Sequence, residues 1–250
     1  MVIVGGNCSV TGFDVDGEER FWTVSGDNVG ALCLVDFDSD GVDEMLAGSD
    51  DFAIRVFKGE EIIHDITEKS KVILLTKITT AVFGYALSNG AYGIYSFKKK
   101  QWKSKNKDLV TAICGCDVDL FGDGQKLMIV GFQSGVIEVR KAFSGEIVHS
   151  LKVSDGEGAI AKIFYYDYRM NGSNQVVAVT STGLIKGYSL TSKKTVDLSN
   201  DAEQKEASEK QLELGRKKIS LQNRLQQLKE KKEAIIRASK NKPTTELSND

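Results

Sequence analysis

Residues Val136-Ile137-Glu138-Val139-Arg140 alternate apolar and polar side chains, the period of a half-exposed strand. Such short alternating runs recur along the first 198 residues and are punctuated by glycine and Asn-Gly turns. The stretch DFDSDGVDEMLAGSDDFAIRVFKGEEIIH at 36–64 returns in altered form as DVDLFGDGQKLMIVGFQSGVIEVRKAFSGEIVH at 117–149. Each copy runs from an acidic turn through an apolar strand and a second turn to an alternating strand ending in Gly-Glu, two β-branched residues and His. A third copy, DYRMNGSNQVVAVTSTGLIKGYSL, fills 167–190. YALSNGAYGIYSFKKKQW at 85–102 lacks the acidic turn, and VIVGGNCSVTGFDVDGEERFWTV at 2–24 precedes them all. Five strand–turn–strand units at a spacing of about 40–50 residues predict a β-propeller or a related repeat array. Because the chain opens inside the pattern, at Met1-Val2-Ile3-Val4, the expected domain over 1–198 is an N-terminally incomplete propeller with an open sheet edge.

After Asn200 the pattern changes from strand to helix. The segment AEQKEASEKQLELGRKKISLQNRLQQLKEKKEAIIRASK holds no aromatic residue, no proline and one glycine, and is rich in good helix formers. Leu214, Leu221, Leu228 and Ile235 recur every seven residues, with Gln211, Lys218, Leu225 and Lys232 at the other inward position. A stripe this narrow predicts a coiled-coil helix over 199–240, followed by a flexible tail at 241–250. The flanking positions Lys210, Lys217, Arg224 and Lys231 are all basic, and Gly215, Gln222, Lys229 and Ile236 opposite them include no acid. Self-pairing sets base against base in either orientation, so the expected partner is a different chain with acidic flanks, not a second copy. Leu214, Leu221, Leu225, Leu228 and Ile235 would supply affinity, and Lys217, Arg224 and Lys231 discrimination.

Charge sharpens the division. The chain carries a net charge of −2 over 250 residues, which gives no basic field for nucleic acid. No apolar run reaches the roughly 18 residues of a membrane span, and the N-terminus lacks the basic and apolar regions of a secretory signal. Cys8, Cys33, Cys114 and Cys116 are then expected to be structural thiols. With only His64 and His149, at equivalent repeat positions, and no phosphate loop or zinc-protease motif, nothing points to an enzyme or to a required cofactor.

The one candidate for metal chemistry is the first acidic turn. Asp36, Asp38, Asp40 and Glu44 offer hard oxygen ligands at alternating positions before and after Gly41. That spacing suits calcium, although Ala47 stands where an EF-hand needs its bidentate acid and the flanks are strands. The turn resembles the DxDxDG loop of integrin-type propellers, which implies a structural calcium clip. The other reading is a turn capped by its own acids. Copies two and three lose acids, which says that the turn is what the fold needs.

The stretches GNCSVTGF, FWTVSGDNVGALCLVDFDSDG, FGYALSNG and FYYDYRMNG, followed by the heptad helix, resemble the family of Bardet–Biedl syndrome protein two, a subunit of the BBSome. The resemblance covers nearly the whole chain and implies a non-enzymatic scaffold in a coat-like adaptor that carries membrane proteins to and from cilia. It implies other BBSome subunits as partners, above all the paralogous protein seven through the coiled coil. Membrane contact would be indirect, through the complex. The implied location is cytoplasmic, at the ciliary coat and the basal body or centrosome. Members of that family extend beyond both ends of this sequence. The alternative is a calcium-stabilised, adhesion-type propeller acting as a binding module.

Overall fold

The computed structural model describes residues 1–119, 122–124, 126–153, 158–170 and 172–190. The chain divides into two units, Met1–Tyr166 with Asn174–Lys194, and Asp167–Ser173 with Thr195–Asp250. The predicted coiled coil at 199–240 and the tail at 241–250 lie outside the described residues.

The first unit is mainly β, built of five antiparallel sheets in chain order. The first blade holds β1 (Val2–Gly6), β2 (Ser9–Phe13) and β3 (Glu19–Val24). The second holds β4 (Val29–Val35), β5 (Glu44–Ser49), β6 (Ala53–Lys58) and β7 (Glu61–Thr67). The third holds β8 (Val72–Thr79), β9 (Val82–Leu87), β10 (Ala91–Ser96) and β11 (Lys99–Lys105). The fourth holds β12 (Val110–Cys116), β13 (Leu127–Phe132), β14 (Val136–Lys141) and β15 (Ile147–Lys152), and the fifth β16 (Ile160–Tyr166), β17 (Gln175–Thr180) and β18 (Ile185–Ser189). Each sheet is a simple meander. Its first strand packs against the first strand of the next sheet, in the order β1, β4, β8, β12, β16. This is the arrangement of propeller blades around an axis.

Alternation holds on the flanking strands and fails in the middle. In β11 exposed and half-buried residues take turns from Gln101 to Lys105, whereas β5, β9 and β13 are buried at every position. A middle strand has a blade on each face, so both of its faces must be apolar, which is why EMLAGS, VFGYAL and LMIVGF read as runs.

Four apolar layers fill the spaces between successive blades. Ile54, Val72, Phe83 and Tyr85 meet between the second and third blades. Ile78, Tyr92, Met128 and Phe132 meet between the third and fourth, and Ile129, Val139, Ile160 and Val176 between the fourth and fifth. The layers interlock through one repeated contact. A Cβ on Gly48 of β5 would lie 2.4 Å from the Val72 side chain, and one on Gly131 of β13 would lie 2.6 Å from that of Ile160. Each β-branched residue opens the inner strand of the next blade and fills the space that its glycine leaves empty.

The end blades carry exposed apolar side chains among the described residues. Val2, Val4 and Trp22 of the first blade, and Phe164, Tyr166 and Ile185 of the fifth, are all exposed.

Candidate functional site

The predicted metal ligands lie in the turn from β4 to β5. Asp36, Asp38 and Asp40 each bring a carboxylate oxygen within 4.8 Å of the others. Each also accepts a backbone amide within the tight turn. Asp36 accepts the amide of Gly41 at 3.2 Å, Asp38 that of Asp40 at 3.2 Å, and Asp40 that of Val42 at 2.8 Å. Ser39 and Gly41 carry positive φ of 64° and 90°, and at Gly41 the lack of a side chain makes this costless.

Glu44 works differently from its three neighbours. It is buried at the start of β5, and one carboxylate oxygen accepts the amides of Phe37 at 2.8 Å and Asp38 at 3.4 Å. The carboxylate thus braces the loop backbone from below. Its other oxygen, and one oxygen of Asp36, are buried without a hydrogen bond.

A fifth residue completes the site, and its ligand-like position shows only in the folded structure. The register of β5 against β6 sets Met45 opposite Phe57 and so brings Lys58 to the loop. Its ammonium donates to Asp38 and Asp40, at 2.6 Å each, and lies 3.5 Å from the orphaned oxygen of Glu44. The bonds to Asp38 and Asp40 raise the pKa of Lys58, and the bond from Lys58 lowers that of Asp40. A cation therefore already sits where the acids converge, and it belongs to the chain.

The other acidic turns clarify what is shared. Asp119 accepts the amide of Gly124 at 2.9 Å, and within the second unit Asp167 accepts that of Gly172. The equivalent of Asp36 in the second copy is thus Asp119, not Asp117. The common pattern is Asp, three residues, Asp or Asn, then Gly: DFDSDG, DLFGDG and DYRMNG. Lys141, at the end of β14, contacts Asp123 at 2.9 Å as Lys58 contacts Asp40. The glycine turn recurs in all three copies and the lysine in the first two, whereas among the described residues the three-acid cluster belongs to the first copy.

The remaining candidates fall as follows. His64 and His149 do occupy equivalent places, opposite Val56 and Val139 on outer strands. His64 stacks on Phe37 with centroids 5.6 Å apart, and burial together with Lys98 lowers its pKa. All four cysteines are free. Burial pushes the Cys33 thiol up to about 12. A thiol–thiol hydrogen bond between Cys114 and Cys116 lowers the pKa of Cys114 and, with burial, raises that of Cys116. Leu214, Lys217, Leu221, Arg224, Leu225, Leu228, Lys231 and Ile235 lie outside the described residues.

Comparison with known proteins agrees with the repeats. The chain is 41% identical over 188 residues to the human protein named BBSome complex member BBS2, covering 75% of this chain and 25% of that protein. It is 38% identical over 193 residues to the zebrafish (Danio rerio) protein of the same name, covering 77% and 26%. The chain therefore spans about a quarter of the length of the curated relatives it matches. Among solved structures it resembles BBS1N, crystallised in complex with ARL6DN, with a TM-score of 0.63 at 14% identity, covering 78% of this chain and 58% of that one. It also resembles the WD40 β-propeller domain of Doa1, with a TM-score of 0.59 at 14% identity, covering 79% and 64%. These two likenesses show the propeller fold alone. The family described as ciliary BBSome complex subunit 2, middle region, matches residues 31–140 of this chain.

Proposed function

We infer that the chain is a non-enzymatic interaction subunit of a BBSome-type ciliary coat. The observation that carries this reading is the family match over residues 31–140, supported by the identity to BBSome members. The propeller serves as a rigid platform, and the heptad helix at 203–239 pairs in parallel with a paralogous subunit, protein seven of the same complex. Basic flanks at Lys217, Arg224 and Lys231 select acids on that partner. The location follows from the complex: cytoplasm, ciliary coat and basal body.

The first acidic turn takes the part of a structural clip, with calcium as its ion. An all-oxygen donor set and the orphaned buried oxygens of Asp36 and Glu44 fit a hard cation. The Lys58 ammonium must leave the site for calcium to enter.

The test is purification of the tagged chain from ciliated cells with quantification of its partners. Other BBSome subunits should co-purify in stoichiometric amount. Leu221→Asp with Leu228→Asp should remove the paralogous partner from the eluate. A stable homodimer of a 203–239 peptide at physiological salt, or an unchanged partner set for the double variant, would contradict the pairing.

A further inference from the structure

The outermost strand of the third blade stands apart from the other blade edges in charge. Residues 98–107 read KKKQWKSKNK, six lysines with no acid. The outer strand of the second blade, by contrast, carries Glu61 and Asp65, and β15 carries only Lys152. Two of the six lysines serve the fold. Lys100 and Lys103 hold the buried carboxylate of Glu68 at 2.6 and 3.1 Å. Lys98, Lys99, Lys105 and Lys107 are exposed and make no ion pair among the described residues.

These four charges flank a free sheet edge. Among the described residues β11 is last in its sheet, and its ladder runs only to β10, with a bulge at Gln101. Along its other side alternate backbone N–H and C=O groups point away from the blade. Lys98 and Lys99 stand at one end of this edge, Lys105 and Lys107 at the other. Six residues of strand separate Lys99 from Lys105, roughly 20 Å, which is the reach of a six- or seven-residue extended peptide.

Lysines on an edge oppose pairing with another basic or neutral strand. They favour a strand that brings carboxylates. We propose that β11 binds an acidic, extended segment of another protein by strand addition. Main-chain bonds to the free ladder supply affinity, and carboxylates at the two ends of the segment meet Lys98 and Lys99, and Lys105 and Lys107. The charges lie at the ends of a hydrogen-bonding edge, which favours a peptide strand over a membrane surface as the occupant. This inference is independent of the family reading, because it uses only the edge and its charge.

The experiment uses the full chain and three probes: a fluorescent octapeptide alternating glutamate with valine, an isocharged octapeptide alternating glutamate with proline, and phosphatidylcholine vesicles containing phosphatidylserine. The glutamate–valine peptide should bind by anisotropy. The combined variant Lys98→Glu, Lys99→Glu, Lys105→Glu and Lys107→Glu should weaken it at least tenfold at an unchanged melting temperature. The proline peptide, which cannot complete a ladder, should bind at least tenfold more weakly than the valine peptide. Equal binding of the two peptides would reduce the edge to a charge patch and overturn strand addition. Lysine-dependent vesicle binding without peptide binding, or indifference of the peptide to the four substitutions, would overturn the proposal as well.

Discussion

Glu68→Ala is expected to destabilise the propeller by about 3 kcal/mol. Glu68 follows β7 in the second blade, and its side chain is 1% exposed. It accepts a hydrogen bond from Tyr95 at 2.7 Å and faces the ammoniums of Lys100 at 2.6 Å and Lys103 at 3.1 Å, all three in the third blade. The cluster ties the two blades at their outer rim. Removing one partner from a buried pair costs roughly 3–5 kcal/mol. The lower end applies, because Lys100 and Lys103 are 35% and 30% exposed and can turn to water once the acid is gone. For a domain of this size each kcal/mol lowers the melting temperature by about 2–4 °C, so the loss should be roughly 6–12 °C. Burial alone would raise the Glu68 carboxyl, but the bonds from Lys100, Tyr95 and Lys103 outweigh it and hold the group below its ordinary value of 4.5. The sign follows from linkage. A lowered acid stabilises above its unfolded value and loses that contribution as pH falls through its folded value. The gap between wild type and Glu68→Ala should therefore be full at neutral pH and narrow below about 4.5. Calorimetry of both proteins across pH measures this. Glu68→Gln, which keeps a partner for Tyr95 but no charge, should fall between them. A loss under about 2 °C at neutral pH would place the cluster with ordinary exposed ion pairs and refute the reasoning.

Gly115→Ala should be severe, because its Cβ would come within 1.8 Å of the Lys77 carbonyl in the preceding blade. A cost of at least about 3 kcal/mol is expected, and a wild-type urea midpoint would deny the close approach. Ile54→Ala should cost roughly 2–5 kcal/mol by opening a cavity in the layer between the second and third blades, again read from the urea midpoint. Added calcium should raise the melting temperature of the wild type and leave Asp38→Ala with Asp40→Ala unmoved. Lys58→Met, which vacates the place of the ammonium, should bind calcium more tightly by calorimetric titration than the wild type does, and equal affinities would mean that Lys58 does not compete.

The repeat was legible because glycine and the acids punctuate it, and five units in the sequence became five blades. The inner strand β8 was harder to see. The repeat was anchored on the acidic turn, and no such turn follows β8 to mark it. Asp117 looked like the start of the second turn because it is the first acid met. Only the amide of Gly124 bonding to Asp119 shows the true alignment. Lys58 left no mark as a site residue, since cross-strand register alone brings it 14 positions in sequence from Glu44 to the loop. Glu68 left none either: an acid among the polar residues at the end of a strand reads as solvated until the next blade covers it.

The glycine-and-branched-residue contact between blades bears on how the domain comes apart. Gly48 receives Val72 and Gly131 receives Ile160, so each blade is gripped by its immediate neighbours. Stability in such an array is a sum of unit terms and nearest-neighbour terms. The second, third and fourth blades each have a neighbour on both sides. Among the described residues the first and fifth have one neighbour each. Opening thus begins as fraying at the two ends, and amide hydrogens of Val82–Leu87 outlast those of Ser9–Phe13 and Gln175–Thr180 in exchange with solvent. The acidic turn at Asp36 and the lysine edge at β11 both belong to inner blades, so a surface held there keeps its geometry while the ends of the array fray.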